Sequence, residues 1–321
     1  MKISEIGGEF AFIRRVTGAA GSDPDLVQGV GDDCAVIDCG GSGYLLVTVD
    51  MMVENTHFSL DWYSPFQLGA KLMEVNVSDI ISMGGTPRWA FISLALKPDT
   101  PVEFMDEFYR GLYESAVRHG VTLAGGDTTR GRDMVLNLAL AGDVARERVR
   151  LRSGARPGEL ICVTGTLGKS EAGLRLLMAG RRGGYLSGYL EPRCRLESEG
   201  RAIAAHAGAM IDVSDGLASE VGHICERSGT GARIDRDAIP LSPETRAAAR
   251  EAGGDPYDYA LYGGEDFELV FTLAPERREL LAREFSDFTV VGEVLPHGKG
   301  VMLTGGGRTI DLKSGYDHFG A

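Results

Sequence analysis

Two α+β halves joined by a short polar link are what this sequence predicts, and three observations carry that reading. The chain has 321 residues, a length that favours two domains over one. Val-, Leu- and Tyr-rich apolar runs alternate with stretches whose apolar residues recur at helical spacing. Near the middle, "RSGARPGE" (152–159) is polar and carries Gly and Pro, the composition of an inter-domain link. The domains are therefore drawn at 1–150 and 151–321.

The elements follow in order. Residues 3–16 read as a short amphipathic helix. "YLLVTVDMMV" (44–53) reads as a strand. "SPFQLGAKLMEVNVSDIISMGG" (64–85) has a Ser-Pro start, a Gly-Gly stop and apolar residues at helical spacing, which predicts a helix capped at both ends. A strand at 88–96, a helix at 101–120 and a strand at 134–144 complete the first half. In the second, "LICVTGTLG" is a strand entering a glycine turn, followed by a helix over about 169–180. A loop (181–193), helices near 193–207 and 216–228, and strands at 268–273, 288–295 and 301–304 close the chain. The halves look alike in layout, without a demonstrable sequence repeat.

Composition narrows the function. Apolar residues make up 43% and charged residues 25%, an ordinary globular balance. The 45 glycines fall in clusters such as Gly84-Gly85, Gly125-Gly126 and Gly263-Gly264, where backbone can turn tightly or approach a ligand. A net charge of −13 disfavours nucleic acid and anionic membrane as partners, yet allows phosphate ligands if metal ions mediate. Five cysteines without a CxxC pair read as reduced thiols. The start "MKISEIGGEF" has no apolar core of a signal peptide, and no run of about 18 apolar residues occurs, so a cytoplasmic protein is expected.

Five segments share one character, acidic residues beside Gly or Ser at element ends: "GDD" (31–33), "TVD" (48–50), "NVSD" (76–79), "GGD" (125–127) and "DVSDG" (212–216). Asp50 is read as closing an apolar strand, Asp79 lies late in an apolar helix, and Asp212 follows an apolar run. Each has an ordinary explanation: a solvated turn for Asp32 and Asp33, a local pair for Asp79, a turn or N-cap for Asp127, a capping motif for "DVSDG". Together they form a different case. Two carboxylates 4 Å apart repel by about 4 kcal/mol at an effective dielectric near 20, and few basic residues lie near these segments to neutralise them. Hard oxygen donors with Ser and Thr hydroxyls suit Mg²⁺ or Ca²⁺.

"VTGTLGKSEAG" (163–173) approaches a P-loop but fails it, because Val163 stands where the pattern needs glycine. Its strand–turn–helix geometry could hold an anion or simply pack. His57 in "NTHF" follows the acidic strand, either as a structural histidine or near the acidic end. Glu265 and Asp266 in "YGGEDFEL" are either turn residues or a contact to a cationic ligand.

In order, "GVGDDCAV", "TVDMMVENTHF", "NVSDIISMGGTP", "AGGDTTRG", "RSGARPG", "VTGTLGKSEAGL", "IDVSDGLASEVGHI", "YGGEDFEL" and "GYDHF" closely resemble the thiamine-monophosphate kinase family of the aminoimidazole-ribonucleotide synthetase superfamily. The resemblance covers nearly the whole chain. It implies an N-terminal α/β domain that dimerises through its sheet and a C-terminal α+β domain packed against it. It implies phosphorylation of thiamine monophosphate by ATP with several Mg²⁺ ions held by aspartates. The implied metal ligands fall on Asp33, Thr48, Asp50, Asp79, Asp127, Asp212 and Asp215. Implied nucleotide contacts are Gly126, Asp127, Arg152 and Ser214, and implied substrate contacts are His57, Glu265 and Tyr316. No general base is implied. This chain departs from the family at "YLEPRCR" (189–195), where a Pro-x-Pro-Arg segment is common, and no role is assigned to that loop.

Overall fold

The computed structural model describes residues 3–6, 8–18, 21, 23–182, 185–310 and 312. After a 3₁₀ turn (Ile3–Ile6), the first half contains α1 (Gly8–Thr17), β1 (Leu26–Gln28), β2 (Ala35–Ile37), β3 (Gly43–Val53), α2 (Pro65–Ser82), β4 (Thr86–Leu96), α3 (Val102–His119), β5 (Thr122–Arg130) and β6 (Val135–Ala145). Its strands form one sheet in the order β1-β2-β3-β6-β4-β5, antiparallel except for the parallel β4–β5 pair. The second half contains β7 (Leu160–Thr164), α4 (Lys169–Met178), α5 (Ser187–Leu190), α6 (Glu197–Ala204), β8 (Ala207–Asp212), α7 (Leu217–Ser228), β9 (Gly231–Asp235), α8 (Pro243–Ala252), α9 (Pro256–Tyr262), β10 (Leu269–Leu273), α10 (Arg278–Glu284), β11 (Phe288–Leu295), β12 (Val301–Gly305) and β13 (Arg308–Ile310). Its sheet runs β13-β12-β9-β11-β7-β10-β8.

Helix α2 organises the molecule. Ser64 caps it by accepting the Gln67 N–H at 3.3 Å, while the Gln67 side chain returns to the Ser64 N–H at 3.0 Å. Pro65 fits the first helical position, where its missing N–H costs nothing. The helix is apolar around most of its circumference and is buried accordingly, between the first sheet, α3 and β8. Gly69 and Gly111 let α2 and α3 touch backbone to backbone: a Cβ at either would collide with the carbonyl of Phe108 or Phe66. One apolar cluster runs from Leu46, Leu72 and Leu138 through to Met210 and Phe271, so the two halves share a core. A second cluster, including Val221, Ile234 and Val270, lies under α7 on the other side of the second sheet.

Buried polar contacts also join the halves. The Tyr63 hydroxyl donates to the Tyr189 carbonyl at 2.7 Å, and Arg150 Nε donates to the Ala207 carbonyl at 2.9 Å. Glu74 on α2 accepts from Ser115 Oγ (2.8 Å), His119 Nε2 (3.2 Å), the Cys194 N–H (2.9 Å) and Arg118. Its carboxylate is thereby filled, and it ties the 191–195 segment to α2 and α3.

Three sequence expectations change. "GGDTTR" is the C-terminal two-thirds of β5 rather than a turn, because pairing with β4 supplies its backbone partners. Asp50 does not close its strand, which runs three residues further. The helix expected over 193–207 spans only Glu197–Ala204, its start held by Leu196 in extended backbone. Helices α8 and α9, capped by Ser242 and Asp255, lie where no element was expected.

Candidate active site

The acidic cluster is assembled by the C-terminal half of α2. Three of its residues reach acids from three directions. Ser78 Oγ donates to Asp212 Oδ2 at 2.5 Å, where β8 ends. Ser82 Oγ donates to Asp33 Oδ2 in the turn before β2. Asp79 itself accepts from Thr48 Oγ1 on β3, two residues from Asp50. The i, i+4 spacing of Ser78 and Ser82 puts both hydroxyls on one face, flanking Asp79. The sequence-predicted Asp33, Thr48, Asp50, Asp79 and Asp212 are thus brought together from three elements and one turn.

The electrostatics reflect that convergence. Burial pushes the Asp50 carboxyl up to about 6, with Asp33 adding to the rise. Burial and then Asp33 push Asp212 up to about 8. Asp79, half-buried, is raised first by loss of solvent and then by Asp50, Asp212 and Asp33. The buried Cys34 thiol is raised by burial and by Asp79, Asp33, Asp32 and Asp212 together, so it sits in the field of all four. Asp50 Oδ2 is buried with no hydrogen-bond partner. Among the described residues, Arg152 is the one base ion-paired to Asp33, Asp50, Asp79 or Asp212, through Asp33 Oδ1 at 2.6 and 3.0 Å. The cluster is short of positive charge.

Arg152 and Asp33, expected to serve nucleotide and metal separately, are each other's partners here. Asp32 accepts the Arg152 N–H at 3.1 Å and the Asp33 N–H at 3.2 Å, and burial raises it to about 7. It shapes the turn. Glu220, which the sequence reading missed, is fully buried on α7 and accepts the N–H groups of Asp215 (2.8 Å) and Ser214 (3.3 Å). It fixes the loop that follows Asp212. Its signal was an acidic residue one turn inside the helix opened by "DVSDG".

A cleft of about 500 Å³ borders the cluster, lined by Asp50, His57, Tyr189, Ser214, Asp215 and Glu265 among others. His57 Nδ1 accepts the Val53 N–H at 3.0 Å, so in the neutral ring Nε2 carries the proton. A larger hollow of about 630 Å³ on the other side of α4 is lined by Asp266 but by none of the residues implied for metal, nucleotide or substrate. The N-terminus of α4 is no vacant anion site. Asp266, fully buried, accepts the N–H of Gly168 and, at 3.1 Å, that of Ser170.

Asp127 and Gly126 stand apart. Asp50 pairs with Leu138, Leu138 with Ile92 and Ile92 with Gly126, so Gly126 lies three strands from Asp50. At the usual strand spacing that is about 14 Å. Asp127 is exposed and accepts the Thr128 N–H at 2.8 Å. Tyr316 and the "GYDHF" segment lie outside the described residues.

Comparison with known proteins identifies the family and fold. The models for AIR synthase related protein match over 31–144 (N-terminal domain) and 156–304 (C-terminal domain). The thiamine-monophosphate kinase of Aquifex aeolicus is 35% identical, covering 99% of this chain and 100% of the relative. That of Escherichia coli K12 is 36% identical, covering 97% and 98%. A structure described as AaThiL complexed with AMPPCP and TMP superposes with a TM-score of 0.88 at 34% identity, covering 99% of both chains. The hydrogenase maturation protein HypE in complex with ATP shares the fold, with a TM-score of 0.72 at 20% identity over 96% of each chain. With a third of its residues shared end to end with relatives of one name, the chain belongs to the thiamine-monophosphate kinase family.

Proposed function

We propose that this chain transfers the γ-phosphoryl group of ATP directly to the phosphate of thiamine monophosphate, giving ADP and thiamine diphosphate, the last step of thiamine diphosphate synthesis. The observation that carries the reading is the convergence of Asp33, Asp50, Asp79 and Asp212 beside a cleft that His57 and Glu265 line. Mg²⁺ fits this donor set: the donors are hard oxygens, buried in excess of positive charge, and Asp50 Oδ2 has no partner. Held by Asp33, Thr48, Asp50, Asp79, Asp212 and Asp215, with Asp127 toward the nucleotide, several Mg²⁺ ions would supply the charge that lets two anionic phosphates approach.

The chain's own residues position the reactants. A phosphate oxygen of the substrate bonds to the γ-phosphorus as the bond from that phosphorus to the β,γ-bridging oxygen breaks, and ADP leaves. A phosphate monoester has its second pKa near 6, so the nucleophile is already ionised near neutrality and no general base is assigned. His57 Nε2–H orients the substrate phosphate. Glu265 and Tyr316 contact the heterocyclic part. Ser214, Arg152, Gly126 and Asp127 contact the nucleotide. Residues 1–150 carry the dimerising and most metal-binding groups, and 151–321 complete the site.

The proposal includes a cytoplasmic homodimer. Val49, Met51, Trp89 and Phe91 are 61%, 54%, 49% and 46% exposed. They lie on two strands of the first sheet, β3 and β4, on the face away from α2 and α3. A second copy would cover this apolar face, and light scattering of the wild type and of Phe91→Glu decides it, with a monomeric variant expected. Among the described residues no helix is long and apolar enough to cross a membrane.

An ADP-release assay tests the reaction. ADP should form with thiamine monophosphate and Mg²⁺, and not with thiamine or aminoimidazole ribonucleotide precursors. ATP binding without turnover on any of them would make the protein a nucleotide sensor instead.

A further inference from the structure

We propose that Lys71 is a positioning residue for the substrate end of the cleft, acting through Glu265. The proposal rests on the reading of Glu265 as a contact to the substrate's heterocycle. Lys71 lies on α2, two turns before Asp79, and its side chain is 0% exposed, whereas that of Glu265 is 30% exposed and lines the cleft. Lys71 therefore cannot meet a ligand in the cleft except through its partners. Those partners are fully specified. Nζ lies 2.7 Å from Glu265 Oε1, 2.8 Å from Oε2 and 3.0 Å from the Tyr63 hydroxyl. It also sits 4.8 Å from the ring centre of Tyr189 and 5.1 Å from that of Tyr63.

A buried ammonium is costly unless paired and hydrogen-bonded, and Lys71 meets both conditions. The geometry at Glu265 shows what the pair does. Glu265 has φ +64 and Phe267 φ +50, both in the left-handed region that side chains other than Gly, Asn and Asp rarely adopt. The turn is pinned to the loop after Asp212: Glu265 N–H donates to the Ser214 carbonyl at 2.9 Å and Phe267 N–H to that of Val213 at 3.0 Å. Backbone contacts to the metal-bearing loop thus hold the turn in place, and Lys71 sets the carboxylate orientation from below. Because Lys71 and Asp79 share one helix, the substrate end and the acidic cluster are placed by the same rigid element. The neutralised carboxylate offers the ligand a hydrogen-bond acceptor rather than a bare negative charge. The ligand chemistry that suits it is a heterocycle with an amino donor on its edge.

Steady-state kinetics of Lys71→Met, Glu265→Gln and the double variant, with the wild type as control, tests this. Wild-type turnover of thiamine monophosphate establishes the underlying reaction independently. Lys71→Met is expected to raise KM for thiamine monophosphate roughly 10-fold or more, leaving KM for ATP within about twofold. The double variant should match Glu265→Gln alone, because the Glu265 carboxylate is the partner through which Lys71 is proposed to act. This comparison stands even if Lys71→Met alone does not fold, since adding Glu265→Gln removes the carboxylate charge left unpaired. A double variant clearly worse than Glu265→Gln, or a Lys71→Met protein with unchanged KM, overturns the proposal. So does equal loss on both substrates, which would mark Lys71 as structural only.

Discussion

Asp212→Asn should lower Mg²⁺-dependent turnover about 10³-fold, roughly 4 kcal/mol of transition-state stabilisation. The substitution keeps the shape of the side chain and a partner for Ser78, which lies 2.5 Å from Asp212. What it removes is an acid whose ionised form burial and the neighbouring Asp33 already disfavour. The metal-free variant should therefore melt at the same temperature as the wild type or higher. This opposition of effects separates a ligand from a structural residue. A side chain needed for folding would lose stability and activity together. Asp79→Asn should behave in the same way, since Asp50 and Asp212 likewise disfavour its ionised form. Normal turnover in both variants would remove the basis of the mechanism.

The second expectation concerns pH. In the folded, metal-free protein Asp212 is raised from 3.8 to about 8, Asp32 to about 7 and Asp50 to about 6. An acid whose folded pKa lies above its unfolded value holds its proton more tightly when folded. Its contribution to stability is present at low pH and is lost as pH rises toward the folded pKa. Between pH 6 and 8 the Asp50 contribution is already mostly gone, while Asp212 and Asp32 continue to lose theirs. For Asp212 alone that interval corresponds to about 2 kcal/mol. The metal-free protein should thus melt roughly 5–10 °C lower at pH 8 than at pH 6. Mg²⁺ displaces the protons, so its stabilising effect should be greater at pH 8. Thermal melts with EDTA or with Mg²⁺ at the two pH values measure this. Equal Mg²⁺ shifts at both would mean that ion binding does not compete with those protons.

Much of this site was legible in the sequence because its chemistry is local. Asp33, Asp50, Asp79 and Asp212 each sit beside Gly, Ser or Thr in apolar surroundings, and carboxylates in such places demand a reason. Helix α2 was readable from its Ser-Pro start and its spacing, and with it the depth of Asp79. What stayed hidden was pairing across distance. Nothing in "RSGARPG" says that Arg152 meets Asp33, 119 residues away. Nothing in "GAKLME" says that Lys71 meets Glu265, 194 residues away. The second pair exists because α2, which carries Lys71, is sandwiched between the halves. Strand β5 was missed because its "GGDTTR" carries turn residues, and only pairing with β4 makes it a strand. Gly126 serves that pairing: a Cβ there would strike the Ile92 carbonyl. The helices α8 and α9 were missed for a simpler reason. They are short, and their capping residues Ser242 and Asp255 stand before prolines that read equally well as loops.

Carboxylates from separate elements sharing divalent cations are the centre of this mechanism, and EPR titration with Mn²⁺ in the presence of a non-hydrolysable ATP analogue examines them most directly. Wild-type protein should bind Mn²⁺ tightly, and the folded Asp79→Asn and Asp212→Asn variants should each bind fewer ions or bind them at least roughly 10-fold more weakly. Unchanged Mn²⁺ stoichiometry and affinity in both variants would contradict it.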